Sequence, residues 1–175
     1  MKAYAAEPEK NKCAANVFTI GIAEHKIAQA PDKITTLGLG SCIGLVLYDP
    51  IIKLAGMVHI MLPSAADAIN VTNRFKFADT AIEDIIDLLA SAGAAQSRLK
   101  AKMAGGAHMF KTSSLLDIMN VGQRNTAMCK RVLSERSIKI CGEDTGGSSG
   151  RSIEFCCETC VLSVRTVVPK SFLSI

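Results

Sequence analysis

Residues 35–63, "TTLGLGSCIGLVLYDPIIKLAGMVHIMLP", contain two apolar runs joined by a short polar connection, and they decide the fold. The first run, "CIGLVLYDP", is stopped by Asp49 and Pro50, and the second, "KLAGMVHIMLP", is stopped by Pro63. Apolar runs of this length bounded by turn residues are typical of buried β-strands. Because so few residues near "DPIIK" separate them, we expect the two strands to form a hairpin.

A tight glycine turn leads into Cys42 at the start of the first strand. Gly38 and Gly40 begin like a dinucleotide-binding fingerprint, but the third glycine should fall where the chain has Ile43. The element that follows also reads as a strand, whereas a phosphate-binding loop opens a helix. Spacing and context therefore exclude a Rossmann or phosphate loop.

The remaining segments predict two helices and about seven strands in all, which favours an α+β fold with a mixed or mainly antiparallel sheet. In "FKFADTAIEDIIDLLASAG" the apolar residues Phe77, Ala81, Ile85 and Leu88 fall on one helical face, and Gly93 ends the helix. "VGQRNTAMCKRVLSERS" predicts the second helix. The other strands are expected in "VFTIGIAEHKIAQ", "LKAKMAGGA", "IKICGED", "SIEFCCE" and "CVLSVRTVV".

Length and composition indicate a soluble globular protein. The 175 residues suggest a flexible leader over residues 1–15 and one domain over residues 16–175. The net charge of +4 is spread along the chain, so nucleic-acid binding is not expected. No apolar run has the length of a membrane helix, so we expect no membrane insertion. The N-terminus lacks a secretory pattern, which favours a cytoplasmic location.

Seven cysteines are present, and we expect them to be reduced in a cytoplasm. Cys156, Cys157 and Cys160 resemble half of a zinc site, but a second ligand pair is missing, so we predict no metal. We read these three as small side chains packed in a sheet. A redox-sensing thiol is a further alternative, although the sequence indicates no resolving partner for Cys42.

Cys42 has the surroundings that a nucleophilic cysteine needs, because it follows a tight turn and precedes a rigid strand. Catalysis by a thiol also requires a histidine within hydrogen-bond reach and a group that orients its ring. His59 lies among apolar residues on the second strand of the hairpin and needs a polar partner there. The alternative is a small core cysteine beside a hydrogen-bonded core histidine.

Six motifs in order resemble the CheD family of chemoreceptor glutamine deamidases. They are "LGLGSC", "YDP", "GMVHIMLP", "LKAKMAGGAHMF", "VGQRN" and "GEDTGGSSGR", and the resemblance extends from about residue 17 to residue 167. It implies a layered α/β sandwich. Ala55 and His108 depart from the family pattern, as do the surplus cysteines near residues 156–160.

The resemblance implies a catalytic triad of Thr36, Cys42 and His59. We expect the first two to share one turn and strand, with His59 on the neighbouring strand. His59 would take the thiol proton and leave a thiolate–imidazolium pair, while Thr36 would orient the ring through its hydroxyl or its carbonyl.

Backbone groups near Cys42 would hold the oxyanion. We name Gly40, Ser41, Gly105 and Gly106 as candidate oxyanion or substrate-binding residues.

The implied reaction is hydrolysis of glutamine side chains to glutamate on chemoreceptors, without a cofactor. The implied partners are the cytoplasmic helices of these receptors and a CheC-type phosphatase, and the free protein is expected to be a monomer. The alternative function is a regulatory module that binds CheC and receptors with little catalysis.

Overall fold

A computed structural model describes residues 15–66, 68–108, 121–166 and 170–175. The predicted leader, apart from its last residue, lies outside the described residues. None of the helices in the described ranges is long and apolar enough to cross a membrane. The elements are β1 (Val17–Ile20), β2 (His25–Gln29), β3 (Lys33–Leu39), β4 (Ile43–Asp49), β5 (Leu54–Ile60), α1 (Ala78–Ser91), β6 (Lys100–Gly105), α2 (Val121–Glu135), β7 (Lys139–Thr145), β8 (Arg151–Cys156), β9 (Val161–Thr166) and β10 (Ser171–Ser174).

The strands form two five-stranded sheets that lie face to face. The central sheet has the order β2-β5-β4-β6-β7, and the outer sheet has the order β1-β3-β8-β9-β10. Parallel pairs join β1 to β3 and β6 to β7, and the other pairs are antiparallel, so both sheets are mixed. Helices α1 and α2 cover the other face of the central sheet. The α+β class and the layered sandwich are therefore confirmed.

The central sheet is buried on both faces, which explains why β4 and β5 read as unbroken apolar runs. Leu45, Leu47 and Val58 belong to the core beneath the helices. Val46 and Met57, which alternate with them, belong to the core between the two sheets. Since successive side chains of a strand point to opposite faces, both sets must be apolar.

The predicted hairpin is confirmed, because β4 and β5 pair in antiparallel register with Gly44 opposite His59. The described residues hold ten strands rather than about seven: β3 and β10 are strands as well, and "VFTIGIAEHKIAQ", expected to hold one strand or two, supplies one to each sheet. The sequence "LGLG" reads as a turn, but Gly38, with a φ of +71°, lies within β3. Helix α1 is as predicted except at Leu88, which is exposed because Ile82, Ile85 and Leu89 centre the buried face.

Asp49 ties the hairpin turn to the loop after α1. Its carboxylate is fully buried and accepts hydrogen bonds from the Ile51 N–H at 3.0 Å and from the Arg98 guanidinium at 2.9 Å. The hydrogen bond from Arg98 is the main reason that the pKa of Asp49 lies below its ordinary value, since it outweighs the opposing effect of burial. A depressed pKa means that the folded state favours the charged carboxylate.

Asp49→Asn is expected to lower the free energy of unfolding by about 1–3 kcal/mol at pH 7, because it removes a charge-assisted buried acceptor. The stability advantage of the wild type should be complete above the ordinary aspartate pKa of about 3.9 and should vanish as the pH falls through the depressed value. Urea unfolding of both proteins across pH measures this difference. Glu143→Gln, which breaks the exposed ion pair with Lys130, is the control and should change stability by less than about 0.5 kcal/mol. A constant difference between the wild type and Asp49→Asn down to pH 2 would contradict the assignment.

Candidate active site

A hydrogen bond between the two sheets joins Thr36 to His59. Thr36 lies on β3 of the outer sheet, His59 lies on β5 of the central sheet, and both side chains are buried. The Thr36 Oγ1 lies 2.8 Å from the His59 Nδ1 and 2.9 Å from the Ile20 carbonyl oxygen. The imidazole is thus fixed within an otherwise apolar layer by a single hydroxyl.

This hydroxyl also selects the tautomer of His59. The Ile20 carbonyl can only accept, so the one proton of the Thr36 hydroxyl is donated to it. The contact with Nδ1 is then a hydrogen bond only if His59 donates its Nδ1–H to the Thr36 oxygen. In this neutral tautomer Nε2 carries a lone pair, and Nε2 is buried with no hydrogen-bond partner among the described residues. The ring therefore presents an available base.

Cys42 lies at the edge of the same inter-sheet layer. It immediately precedes β4, it is half-buried, and it packs against the core between the sheets. Because Gly44 pairs with His59, Cys42 is only two residues from the rung that holds the histidine. The hairpin register thus places Cys42 two residues before the residue that pairs with His59.

Burial acts on the two titratable groups in opposite directions. Desolvation raises the pKa of the Cys42 thiol and lowers the pKa of the His59 imidazole. Removal from water disfavours the charged form of each group. The free site therefore favours a neutral thiol beside a neutral imidazole rather than the thiolate–imidazolium pair expected from the sequence.

Thr36 and Cys42, which we expected to share one turn and strand, lie on either side of the turn that follows β3. The two are six positions apart, but Thr36 belongs to the outer sheet. The ladder of β3 shifts register around Gly38, which has a φ of +71°, and the chain crosses to the central sheet only after Leu39. A left-handed conformation of this kind is accessible to glycine at little cost. Only His59 and Cys42 come from one sheet, and the threonine reaches the ring from across the core.

The turn at Cys42 is held by hydrogen bonds that three successive carbonyl groups, those of residues 40–42, accept. The Gly40 carbonyl accepts from the Ala107 N–H at 2.8 Å, and the Cys42 carbonyl accepts from the Gly106 N–H at 2.8 Å. The Ser41 carbonyl between them accepts from the Asn125 Nδ2 at 2.9 Å. The N–H groups of Ser41 and Cys42 have no acceptor among the described residues. Within the described ranges, these two N–H groups are therefore candidate donors to an anionic oxygen.

Gly105 and Gly106 form the support beneath Cys42. Gly105 has a φ of +115°, and a Cβ there would lie 2.1 Å from the Cys42 carbonyl oxygen. Gly106 has a φ of +66° and donates the hydrogen bond to that same oxygen. The end of β6 therefore approaches the turn at Cys42 as closely as it does because residue 105 has no side chain.

Asn125 is a polar residue at this site that the sequence-based search for catalytic groups missed. It lies on the buried face of α2 with Gly122, Cys129, Val132 and Leu133. Its amide also donates to the Met61 carbonyl at 3.0 Å. An asparagine on an otherwise apolar helical stripe is the signal that could have identified it, since a buried amide requires hydrogen-bond partners.

The cysteines near the end of β8 lie apart from this site. Cys157 is buried against the core between the sheets, and Cys160 packs at its edge. Within the described ranges, no group of three or more His, Cys, Asp or Glu side chains is arranged to hold a metal ion. Although burial raises the pKa of Cys156, hydrogen bonds from Thr159 and from the Glu158 N–H outweigh it and lower that pKa.

Comparison with known proteins identifies relatives over most of the chain. A family model described as CheD chemotactic sensory transduction matches residues 61–166. The chemoreceptor glutamine deamidase CheD of Bacillus velezensis is 51% identical over 158 residues, which cover 90% of this chain and 95% of that protein. The chemoreceptor glutamine deamidase CheD of Bacillus subtilis (strain 168) is 53% identical over 152 residues, which cover 86% of this chain and 92% of that protein.

The name of a third relative includes the word "probable". The probable chemoreceptor glutamine deamidase CheD of Caldanaerobacter subterraneus is 48% identical over 151 residues, or 86% of this chain and 93% of that protein. The family model begins after His59. The alignment with the Bacillus velezensis protein covers 90% of this chain, and the residues outside it are too few to contain the whole segment from Thr36 to His59. With a family-model match over more than half of its length and relatives of this similarity, the chain belongs to the CheD family.

Proposed function

We propose that this protein hydrolyses glutamine side chains of chemoreceptors to glutamate, with Cys42 as the nucleophile. The observation that carries the proposal is the contact between the Thr36 hydroxyl and Nδ1 of His59, which leaves Nε2 buried without a hydrogen-bond partner among the described residues, in the layer where Cys42 packs. The substrate class follows from the names of the relatives, which are chemoreceptor glutamine deamidases. We place the reaction in the cytoplasm, where receptor signalling helices are accessible.

The reaction begins with transfer of the Cys42 thiol proton to Nε2 of His59 as the sulfur attacks the carboxamide carbon. The N–H groups of Ser41 and Cys42 hold the oxyanion of the tetrahedral intermediate. The imidazolium then gives its proton to the departing ammonia, and a thioester remains. Water, deprotonated by His59, then attacks the thioester. Collapse of the resulting tetrahedral intermediate releases the glutamate side chain and the free thiol.

Thr36 acts on this sequence through the ring. Its oxygen accepts the Nδ1–H throughout, so the hydrogen bond strengthens when His59 becomes positively charged. The aspartate of a serine triad orients its histidine in the same way but carries a full negative charge. A neutral hydroxyl stabilises the imidazolium less, which agrees with proton transfer during attack rather than before it.

Binding of a CheC-type phosphatase and a monomeric free state stay predictions that follow from the family resemblance. So does the alternative of a regulatory module with little catalysis. Within the described residues, Nε2 of His59 is buried without a hydrogen-bond partner, which costs desolvation free energy. A surface that only binds partner proteins does not require this cost. That cost favours the enzymatic function.

Cys42→Ala is expected to abolish conversion of glutamine to glutamate while leaving receptor binding intact, because it removes only the attacking sulfur. The wild type or the variant is incubated with a receptor cytoplasmic fragment. Peptide mass spectrometry then measures the mass increase of about 1 Da that each glutamine shows when its NH2 is replaced by OH. Cys141→Ala removes an exposed thiol and is the matched control, with full activity expected. If the wild type binds the fragment and leaves every glutamine intact, the proposed function is wrong.

Thr36→Val is expected to reduce kcat by about 10–100-fold, because it keeps the shape of the side chain and removes the acceptor of the Nδ1–H. Without that acceptor both tautomers of His59 are populated, and the one with a proton on Nε2 cannot act as the base. Thr35→Val on the same strand, whose hydroxyl donates only to the Ile153 carbonyl, is the control. Equal kcat values for Thr36→Val and the wild type would exclude the tautomer argument.

The pH dependence of kcat/KM and of Cys42 alkylation should show that Cys42 and His59 are both neutral in the free enzyme. Since burial lowers the pKa of His59, the acidic limb of kcat/KM should have its midpoint below about 6.5. Since burial raises the pKa of Cys42, its alkylation by iodoacetamide should accelerate only above about pH 9. Peptide mapping should show Cys156, whose pKa is lowered, reacting at lower pH in the same samples. Rapid alkylation of Cys42 at pH 6 would instead indicate a preformed thiolate.

A further inference from the structure

Asn125 connects the nucleophile turn to the strand of the histidine. Its side chain is fully buried, and its single NH2 group donates to the Ser41 carbonyl at 2.9 Å and to the Met61 carbonyl at 3.0 Å. Ser41 immediately precedes Cys42, and Met61 follows His59 by two residues. One amide on α2 therefore fixes the backbone on both sides of the site.

The bond to Ser41 determines the direction of the Cys42 N–H. A trans peptide is planar, and its carbonyl and N–H point in opposite directions. The carbonyl of Ser41 and the N–H of Cys42 belong to the same peptide group, so a carbonyl held toward α2 directs that N–H away from the helix. A hydrogen bond accepted by the carbonyl also polarises the peptide and makes its N–H a better donor.

We propose that Asn125 is a positioning residue that orients the peptide between Ser41 and Cys42, so that the Cys42 N–H points at the oxyanion of the reaction. This inference rests on the proposed thiol mechanism. Asn125 is fully buried and contacts no substrate; it acts through the peptide that it holds.

The chemistry of the side chain agrees with this role. One NH2 group can donate to both carbonyl oxygens. Leucine, of similar size, has no donor, and aspartate would place a carboxylate oxygen against each carbonyl oxygen. Oδ1 of Asn125 is buried without a partner in the described part of the chain. An unpaired buried acceptor is costly, and an apolar residue on this face of α2 would avoid that cost. The cost is explained if the two bonds of the NH2 group are needed at the site.

Asn125→Leu and Asn125→Asp test the inference on the full chain. Both variants keep the approximate volume of the side chain, and both remove the donors. We expect kcat on a receptor cytoplasmic fragment to fall about 10–100-fold, with KM within about two-fold of wild type, because an oxyanion donor acts in the transition state. Thr126→Val is the matched control, since its hydroxyl donates only to the Gly122 carbonyl of the same helix.

A second readout reports the oxyanion position independently of turnover. A receptor-derived peptide carrying an aldehyde in place of the carboxamide adds the Cys42 thiol reversibly, with the thiol proton passing to the new oxygen. That oxygen occupies the position of the oxyanion. The affinity of this peptide should fall in both Asn125 variants by about the same factor as kcat, while the affinity of a peptide with unmodified glutamine, measured in a Cys42→Ala background, should not change.

The outcomes separate the inference from the proposed function. If the wild type deamidates the fragment and a folded Asn125 variant does so at the same kcat, the inference is wrong and the proposed function stands. If kcat falls but aldehyde affinity does not, Asn125 acts elsewhere and the inference is also wrong. If the wild type leaves glutamines intact but the aldehyde binds Cys42 more weakly in the variants, the inference stands and the proposed substrate is wrong. Should Asn125→Leu fail to fold, Asn125→Asp provides both readouts.

Discussion

Burial of the central sheet on both faces is the constraint on which the rest of the structure depends. Helices cover one face and the outer sheet covers the other, so every residue of β4 and β5 is buried. A polar side chain on these strands has no access to water and must find its partner inside the protein. His59 is such a side chain, and its surroundings follow from this requirement.

The partner of His59 is a hydroxyl from the opposite sheet. Thr36 has one proton and two polar neighbours, and the Ile20 carbonyl takes that proton. The hydrogen bond that satisfies the buried ring therefore also fixes which nitrogen is left to accept a proton. One contact therefore pairs a buried polar ring and, in the proposed mechanism, also sets the general base.

The nucleophile turn shows the complementary arrangement. The carbonyls of residues 40–42 accept hydrogen bonds from Gly106 and Ala107, which follow β6, and from Asn125 on α2. Because each peptide group is planar, binding the carbonyls on one side leaves N–H groups available on the other. The glycines at residues 105 and 106 permit the close contact that this requires. In the proposed mechanism, these N–H groups hold the oxyanion.

The sequence by itself determined the hairpin, both helices and the identity of Cys42 and His59 as a pair worth testing. These features are local, because they follow from apolar runs, turn residues and a register set by a short connection. The motifs also placed the chain with the CheD family.

Only the tertiary structure decided how Thr36, Asn125 and the glycines at residues 105 and 106 relate to Cys42. Thr36 reaches His59 from another sheet, and Asn125 reaches Ser41 from a helix 84 residues further along the chain. Such contacts depend on how layers stack, which no local pattern of residues encodes. The state of the pair was decided at the same level, since the desolvation that keeps Cys42 and His59 neutral arises from the packing of two sheets around them.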